Sequence, residues 1–150
     1  IPRLVRVIMK KSIFKIPIGG PTMRYAGFVP VDRKKVHGGI DSIEEASASM
    51  KKKGYSFLVF PEGTRSRDGR LQRFKRGGFV LALSASAPIV PMTIRGSFEL
   101  MPRNARVCRR GTVRIEFHEP ISVEGYTNEN MKELIDKVKA SIGGEAINKA

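Results

Sequence analysis

Phe57-Leu58-Val59-Phe60 runs straight into Pro61-Glu62-Gly63-Thr64-Arg65-Ser66, an unbroken apolar run cut off by a polar turn. Apolar residues without alternation suit a strand covered on both faces, as in a sheet sandwiched between helices. Pro61 to Thr64 ends the strand abruptly and opens a loop at its carboxyl end, where layered α/β folds collect their ligands. Upstream, Ile40, Ile43, Ala46 or Ser47, and Met50 recur at helical spacing. Asp41, Glu44 and Glu45 come early in this helix and Lys51 to Lys53 late, in line with the helix dipole, and Gly54 stops it. Further upstream, Leu4 to Met9 reads as a strand, Pro17 and Gly19-Gly20 as a turn, and Pro21 as the opening of a short helix. Phe28 to Val31 is a short extended run that Pro30 confines to a sheet edge.

Downstream, Gly77 to Ala87 is almost wholly apolar and predicts a buried helix ended by Pro88, followed by a buried strand from Ile89 to Ile94. Thr112 to Phe117 alternates Val113, Ile115 and Phe117 with Arg114 and Glu116, the period of a half-exposed strand. Met131, Leu134, Ile135, Val138 and Ile142 mark a closing amphipathic helix, with Asn128 or Thr127 as its cap. Strands alternating with helices predict an α/β fold: a single layered domain whose central sheet, mostly parallel or mixed, is flanked by helices.

The whole chain has 150 residues, a length for one domain, and a formal charge of +14. Residues 1–114 hold 24 basic and 7 acidic side chains, whereas residues 115–150 hold 4 and 7. Such a balance calls for an anionic partner: nucleic acid, a phosphorylated small molecule, or an anionic membrane surface. A single Cys, Cys108, excludes an internal disulfide and a Cys-rich zinc module. There is no apolar run of 18 residues and no signal-peptide pattern at the opening Ile1-Pro2-Arg3, so the chain is expected to be the middle of a longer protein.

A turn with Pro and Gly is usually only a turn, but here Arg67, Arg70, Arg73, Lys75 and Arg76 follow and converge on Gly77-Gly78 at a helix start, a place that favours anions. These residues resemble the glycerolipid acyltransferases, and within them the 1-acyl-sn-glycerol-3-phosphate (lysophosphatidate) acyltransferases. Lys15-Ile16-Pro17 with Gly27 to Arg33 is similar to the second conserved block of that family, Val59 to Ser66 to the third, and Ala87 to Met92 to the fourth. Phe74-Lys75-Arg76-Gly77-Gly78 resembles the basic-glycine step after the third block.

One block is missing. The family's catalytic His, followed five positions later by Asp, has no counterpart: His37 has Asp41 four positions on and lies after the second block, and His118 is followed by Glu119-Pro120. Both are expected to be surface or capping residues, so no catalytic residue is assigned. The expectation is that Ile1 begins just downstream of the catalytic block, that residues 1–150 are the C-terminal part of the acyltransferase domain, and that the fragment alone is inactive.

The resemblance implies transfer of a fatty acyl group from acyl-CoA or acyl carrier protein to the sn-2 hydroxyl of lysophosphatidate, giving phosphatidate for phospholipid synthesis, with no cofactor and no metal. Arg33 and Arg65 would grip the acceptor phosphate and Lys75 add a point charge. Glu62 would accept a hydrogen bond from an acceptor hydroxyl or order Arg65. Thr64 caps the loop or touches substrate, Gly63 offers an amide to the developing oxyanion, and Pro91 shapes a strand end or lines an acyl channel. Arg33, Arg65 and Lys75 are expected around one pocket.

Two other readings compete. A nucleic-acid-binding domain fits the charge, but aromatics are only 7%, and Phe57, Phe60, Phe79 and Phe117 are expected in the core, so no nucleic-acid partner is assigned. A lipid-surface module without activity would describe a chain lacking the catalytic block. Membrane association at a cytoplasmic face is expected, with Lys10, Lys11 and Lys15 among Ile8, Met9, Ile13, Phe14 and Ile16 as either a lipid-binding segment or core with a solvated rim.

Overall fold

The computed structural model describes residues 5–26, 28–31, 36–102, 105 and 107–143. In chain order these form β1 (Val5–Lys10), a 3-10 turn (Lys11–Lys15), α1 (Gly19–Tyr25), β2 (Val29–Val31), α2 (Val36–Lys53), β3 (Ser56–Leu58), α3 (Gly77–Ala85), β4 (Met92–Arg95), α4 (Ser97–Leu100), β5 (Arg114–Phe117) and α5 (Met131–Gly143). The fold is α/β: β2-β1-β3 make a three-stranded parallel sheet, β4 and β5 an antiparallel pair, and helices flank both. Two compact units result, one from Ile1–Val59 with Val80–Ala85, the other from Phe60–Phe79 with Ser86–Ala150.

In the first unit β1 is central, with Ile8 opposite Val29 on one side and Arg6 opposite Phe57 on the other. Parallel strands need a crossover, and α2 supplies the one that carries the chain from β2 on one side of β1 to β3 on the other. It starts at Val36, so Asp41, Glu44 and Glu45 fall beyond its first turn and only the lysine end matches the dipole. β2 takes the sheet edge that Pro30 requires. The strand read as Phe57 to Phe60 is corrected. β3 spans Ser56–Leu58, is half-buried throughout, and among the described residues pairs with β1 alone, so its other edge lacks the neighbour that would cover it. Phe60 lies outside the strand and is 53% exposed. Before α1, the chain turns tightly enough that a Cβ on buried Gly20 would run into the carbonyl of Phe14, itself buried.

The second unit is built on α5, whose Met131, Leu134 and Val138 are buried at helical spacing together with Phe74, Phe79, Ile121 and Val123. The helix begins after Asn130; in the turn that leads into it the Thr127 hydroxyl accepts the Glu129 N–H at 3.3 Å and the Asn130 side chain accepts the Thr127 N–H at 2.6 Å, a reciprocal capping pair that falls on Thr127 and not on Asn128. β4 is shorter than Ile89 to Ile94; Ile89 joins Ile121 in an isolated bridge instead.

The β4–β5 pair overturns a second expectation. Met92 stands opposite Phe117 and Ile94 opposite Ile115, so the apolar side chains share one face, but it is the other face that packs on α5. There the buried Thr93 hydroxyl donates to the Ile142 carbonyl at 3.2 Å and lies 2.7 Å from His118 Nε2. This contact gives a structural role to His118, a residue read as surface or capping. On the open face Val113, Ile115 and Phe117 are 44%, 52% and 56% exposed. Phe60 and Phe117, both expected in the core, are therefore exposed; Phe79 is buried and Phe57 half-buried.

Candidate substrate-binding site

Residues 60–76 have no regular secondary structure, and their backbone is held by a few specific bonds. Gly63 takes φ 70 and donates its N–H to the Phe60 carbonyl at 3.0 Å, closing the turn. The Lys75 N–H donates to the Pro61 carbonyl at 2.8 Å and the Gln72 N–H to Glu62 Oε2 at 2.8 Å, so the far end of the loop is tied to its start. At the tip, Asp68 Oδ1 accepts the Arg70 N–H at 3.1 Å and the Ser66 hydroxyl at 3.0 Å. The Arg70 N–H first and the Ser66 hydroxyl second hold the Asp68 carboxyl below its usual range. Phe74 points inward, buried and stacked on Phe79 with ring centroids 6.4 Å apart.

This folding-back creates an open groove of about 520 Å³ lined by Glu62, Thr64, Gln72, Arg73, Phe74, Lys75 and Arg76. Three cations face one carboxylate there. Arg73, Lys75 and Arg76 are exposed, so their charges are available to an anion, with Arg76 oriented by its Nη2 bond to the Asn128 carbonyl at 2.9 Å. The Gln72 Nε2 is buried with no hydrogen-bond partner. The arrangement suits a phosphate dianion flanked by a donor hydroxyl, that of Thr64.

Of the residues singled out in the sequence, Glu62, Thr64 and Lys75 line this groove together. Arg65 does not line it; its Nη1 reaches toward the Pro102 carbonyl at 3.5 Å. Arg33 lies outside the described residues. Glu62 binds the Gln72 backbone, a partner neither of its two sequence readings named. The Gly63 amide is already engaged in the turn, and Pro91 is buried with its carbonyl accepting the His118 N–H at 3.0 Å. Arg73 and Arg76 were visible as part of a basic run without being assigned to the site. Gln72 carried no signal at all. His37 lies in α2, with its side chain outside the description. Among the described residues no group of His, Cys, Asp or Glu could hold a metal ion.

A family model described as Acyltransferase matches residues 1–95, which takes in β1 through β4 and the whole loop. The chain belongs to the acyltransferase family. It is 39% identical over 117 residues to a chloroplastic 1-acyl-sn-glycerol-3-phosphate acyltransferase of Brassica napus, covering 77% of this chain and 34% of that protein. A 1-acyl-sn-glycerol-3-phosphate acyltransferase of Saccharomyces cerevisiae is 34% identical, over 89% of this chain and 45% of its own length. The crystal structure of the 1-acyl-sn-glycerophosphate acyltransferase PlsC from Thermotoga maritima superposes with a TM-score of 0.74 at 25% identity, covering 99% of this chain and 68% of that one. This acyltransferase chain thus spans about a third to a half of the length of the curated relatives it matches.

Proposed function

We propose that this chain binds the phosphate of lysophosphatidate as part of an enzyme that acylates it. The observation that carries the reading is the groove, in which Arg73, Lys75 and Arg76 surround Glu62 and Thr64 on a loop inside the family match. In the proposed reaction the sn-2 hydroxyl oxygen attacks the thioester carbonyl of acyl-CoA or acyl carrier protein. The hydroxyl proton passes to a general base, the tetrahedral intermediate expels the thiolate, and the base returns the proton to it, leaving phosphatidate and free thiol. That base is not assigned to this chain, because His118 is hydrogen-bonded to Thr93 and His37 lacks the family's spacing to an Asp. Arg33, Arg65, Gly63 and Pro91 keep supporting roles: Arg33 as a further phosphate ligand, Arg65 as a charge beside the groove whose Nη1 reaches toward the Pro102 carbonyl, Gly63 in the loop's shape, and Pro91 in the ribbon's. Since the acceptor is a lipid, the protein is proposed to work at a membrane, on its cytoplasmic face; no described helix is long and apolar enough to cross one.

The test is titration of the purified chain with short-chain lysophosphatidate and, separately, with the corresponding lysophosphatidylcholine. Saturable binding of the first and not the second supports the reading, and equal affinity for both refutes phosphate recognition. In the same preparation, acyl-CoA with lysophosphatidate is expected to release no thiol above background. Acceptor-dependent release would place the base within these residues.

A further inference from the structure

The outward apolar face of the β4–β5 pair takes no part in the groove. Val90, Val113, Ile115 and Phe117 are 50%, 44%, 52% and 56% exposed, and the half-buried Met92 and Ile94 join them by cross-strand pairing. A continuous apolar face on a regular ribbon is a docking surface unless something covers it. The charges around it identify what. No acidic residue stands between Glu99 and Glu116, while Arg109 and Arg110, both exposed, lead into β5. Glu116 belongs to the opposite face, 3.8 Å from the Arg95 guanidinium. Glu119, just past the far end of β5, is the carboxylate that follows the apolar residues along that strand. An apolar strip with a cationic end matches a bilayer containing anionic lipid, which receives the side chains among its acyl tails and the guanidiniums among its headgroups. A second copy of the chain fits less well, since each copy carries a formal charge of +14 and would repel the other.

We infer that the β4–β5 ribbon is a membrane-docking surface, with Ile115 and Phe117 entering the bilayer and Arg109 and Arg110 holding anionic headgroups. The inference rests on the membrane location proposed above and not on acyl transfer, so it is tested on vesicles that contain no acceptor. The chain has no Trp, and Phe117→Trp therefore places a single reporter on the face. With phosphatidylcholine vesicles containing phosphatidylglycerol, its emission shifts to the blue and is quenched by brominated acyl chains. With phosphatidylcholine alone the shift is small. In that background Arg109→Glu with Arg110→Glu, both in a loop, lowers vesicle partitioning by about tenfold or more, and added salt lowers it further. Glu119→Lys raises it.

Unchanged Trp emission on vesicle binding overturns the inference. So does vesicle binding that Lys15→Glu abolishes and the arginine reversals leave intact, which assigns contact to the Lys10–Ile16 segment. A blue shift that grows with protein concentration without lipid, together with a doubled mass in light scattering, overturns it in favour of a second copy. Thermal melts of each variant confirm that the fold is retained, and the arginine reversals, at two exposed residues, stand if Phe117→Trp does not fold.

Discussion

The loop of residues 60–76 and the β4–β5 ribbon are opposites in construction. The loop lacks repeating structure, yet Phe74 anchors it in the core and side chains tie its backbone together at Glu62–Gln72 and Asp68–Arg70. The ribbon has a complete antiparallel ladder, yet its apolar face is open and its buried bonds are polar ones made by Thr93 and His118. Regular hydrogen bonding does not make a core, and irregular backbone does not make a loose site. What fixes each region is which side chains α5 and its neighbours cover.

The same substitution in both regions breaks or upholds this contrast most directly. Phe74→Ala removes a ring that is 4% exposed and stacked on Phe79, and is expected to destabilise by about 3–5 kcal/mol, a large part of the stability of a small domain. Phe117→Ala, at 56% exposure, is expected to cost about 1 kcal/mol or less. Urea melts of the two variants give the comparison; equal losses would mean that the ribbon face is covered in solution.

The next largest effect separates the regions by ligand instead of by stability. Arg73→Glu with Lys75→Glu puts two carboxylates where the phosphate is proposed to sit, and affinity for lysophosphatidate should fall by about a hundredfold or more, charge-assisted bonds contributing about 1.5–3 kcal/mol each. The reversal of Arg109 and Arg110, exposed residues before β5 that do not line the groove, should change that affinity in lipid-free titrations by only a few-fold, since salt screens exposed charges that do not touch the ligand. Calorimetric titration of the two double variants reads both numbers.

How much of this was legible in the sequence differs between the regions for a physical reason. Apolar runs and glycine or proline stops located most elements to within a few residues, because burial and backbone limits are written locally. Alternation at Val113, Ile115 and Phe117 showed which residues share a face. It could not show which face is covered, since that depends on where α5 docks, through Thr93 to Ile142, 49 residues apart. The groove was half legible. Glu62, Thr64 and Lys75 stood out by type and neighbourhood, whereas the partner of Glu62 is a backbone N–H, which every residue but proline carries and no sequence pattern marks.

Glu62→Ala tests that unmarked bond. Half-buried Glu62 closes the loop onto Gln72, and losing a charge-assisted bond to a backbone donor is expected to destabilise by about 1–2 kcal/mol and to weaken lysophosphatidate binding severalfold by loosening the groove. Glu116→Ala, which removes the half-exposed partner of Arg95 from the ribbon, is expected to cost about 0.5 kcal/mol. Hydrogen exchange at the Gln72 amide distinguishes a local effect from a general one: protection should drop at Gln72 and persist at Ile94 and Ile115. Loss of protection at both sites would mean that the loop and the ribbon open together.

The smallest effect is the acid sensitivity of the loop tip. The Asp68 carboxyl titrates below its usual range because the Arg70 N–H and the Ser66 hydroxyl bond its ionised form. A group whose folded pKa is depressed stabilises the folded state above its unfolded pKa, and that contribution disappears as the pH falls through the folded one. The Ser66 to Arg70 segment should therefore keep its protection at neutral pH and lose it on acidification from the ordinary carboxylate range downward. Asp68→Asn should remove this pH dependence, because an amide keeps an acceptor oxygen but has no charge to lose. Amide exchange followed through the acid range should accordingly show a transition at Arg70 in the native protein, none there in Asp68→Asn, and the same profile at Ile115 in both. A transition at Arg70 that survives the substitution would assign the acid sensitivity to another carboxyl.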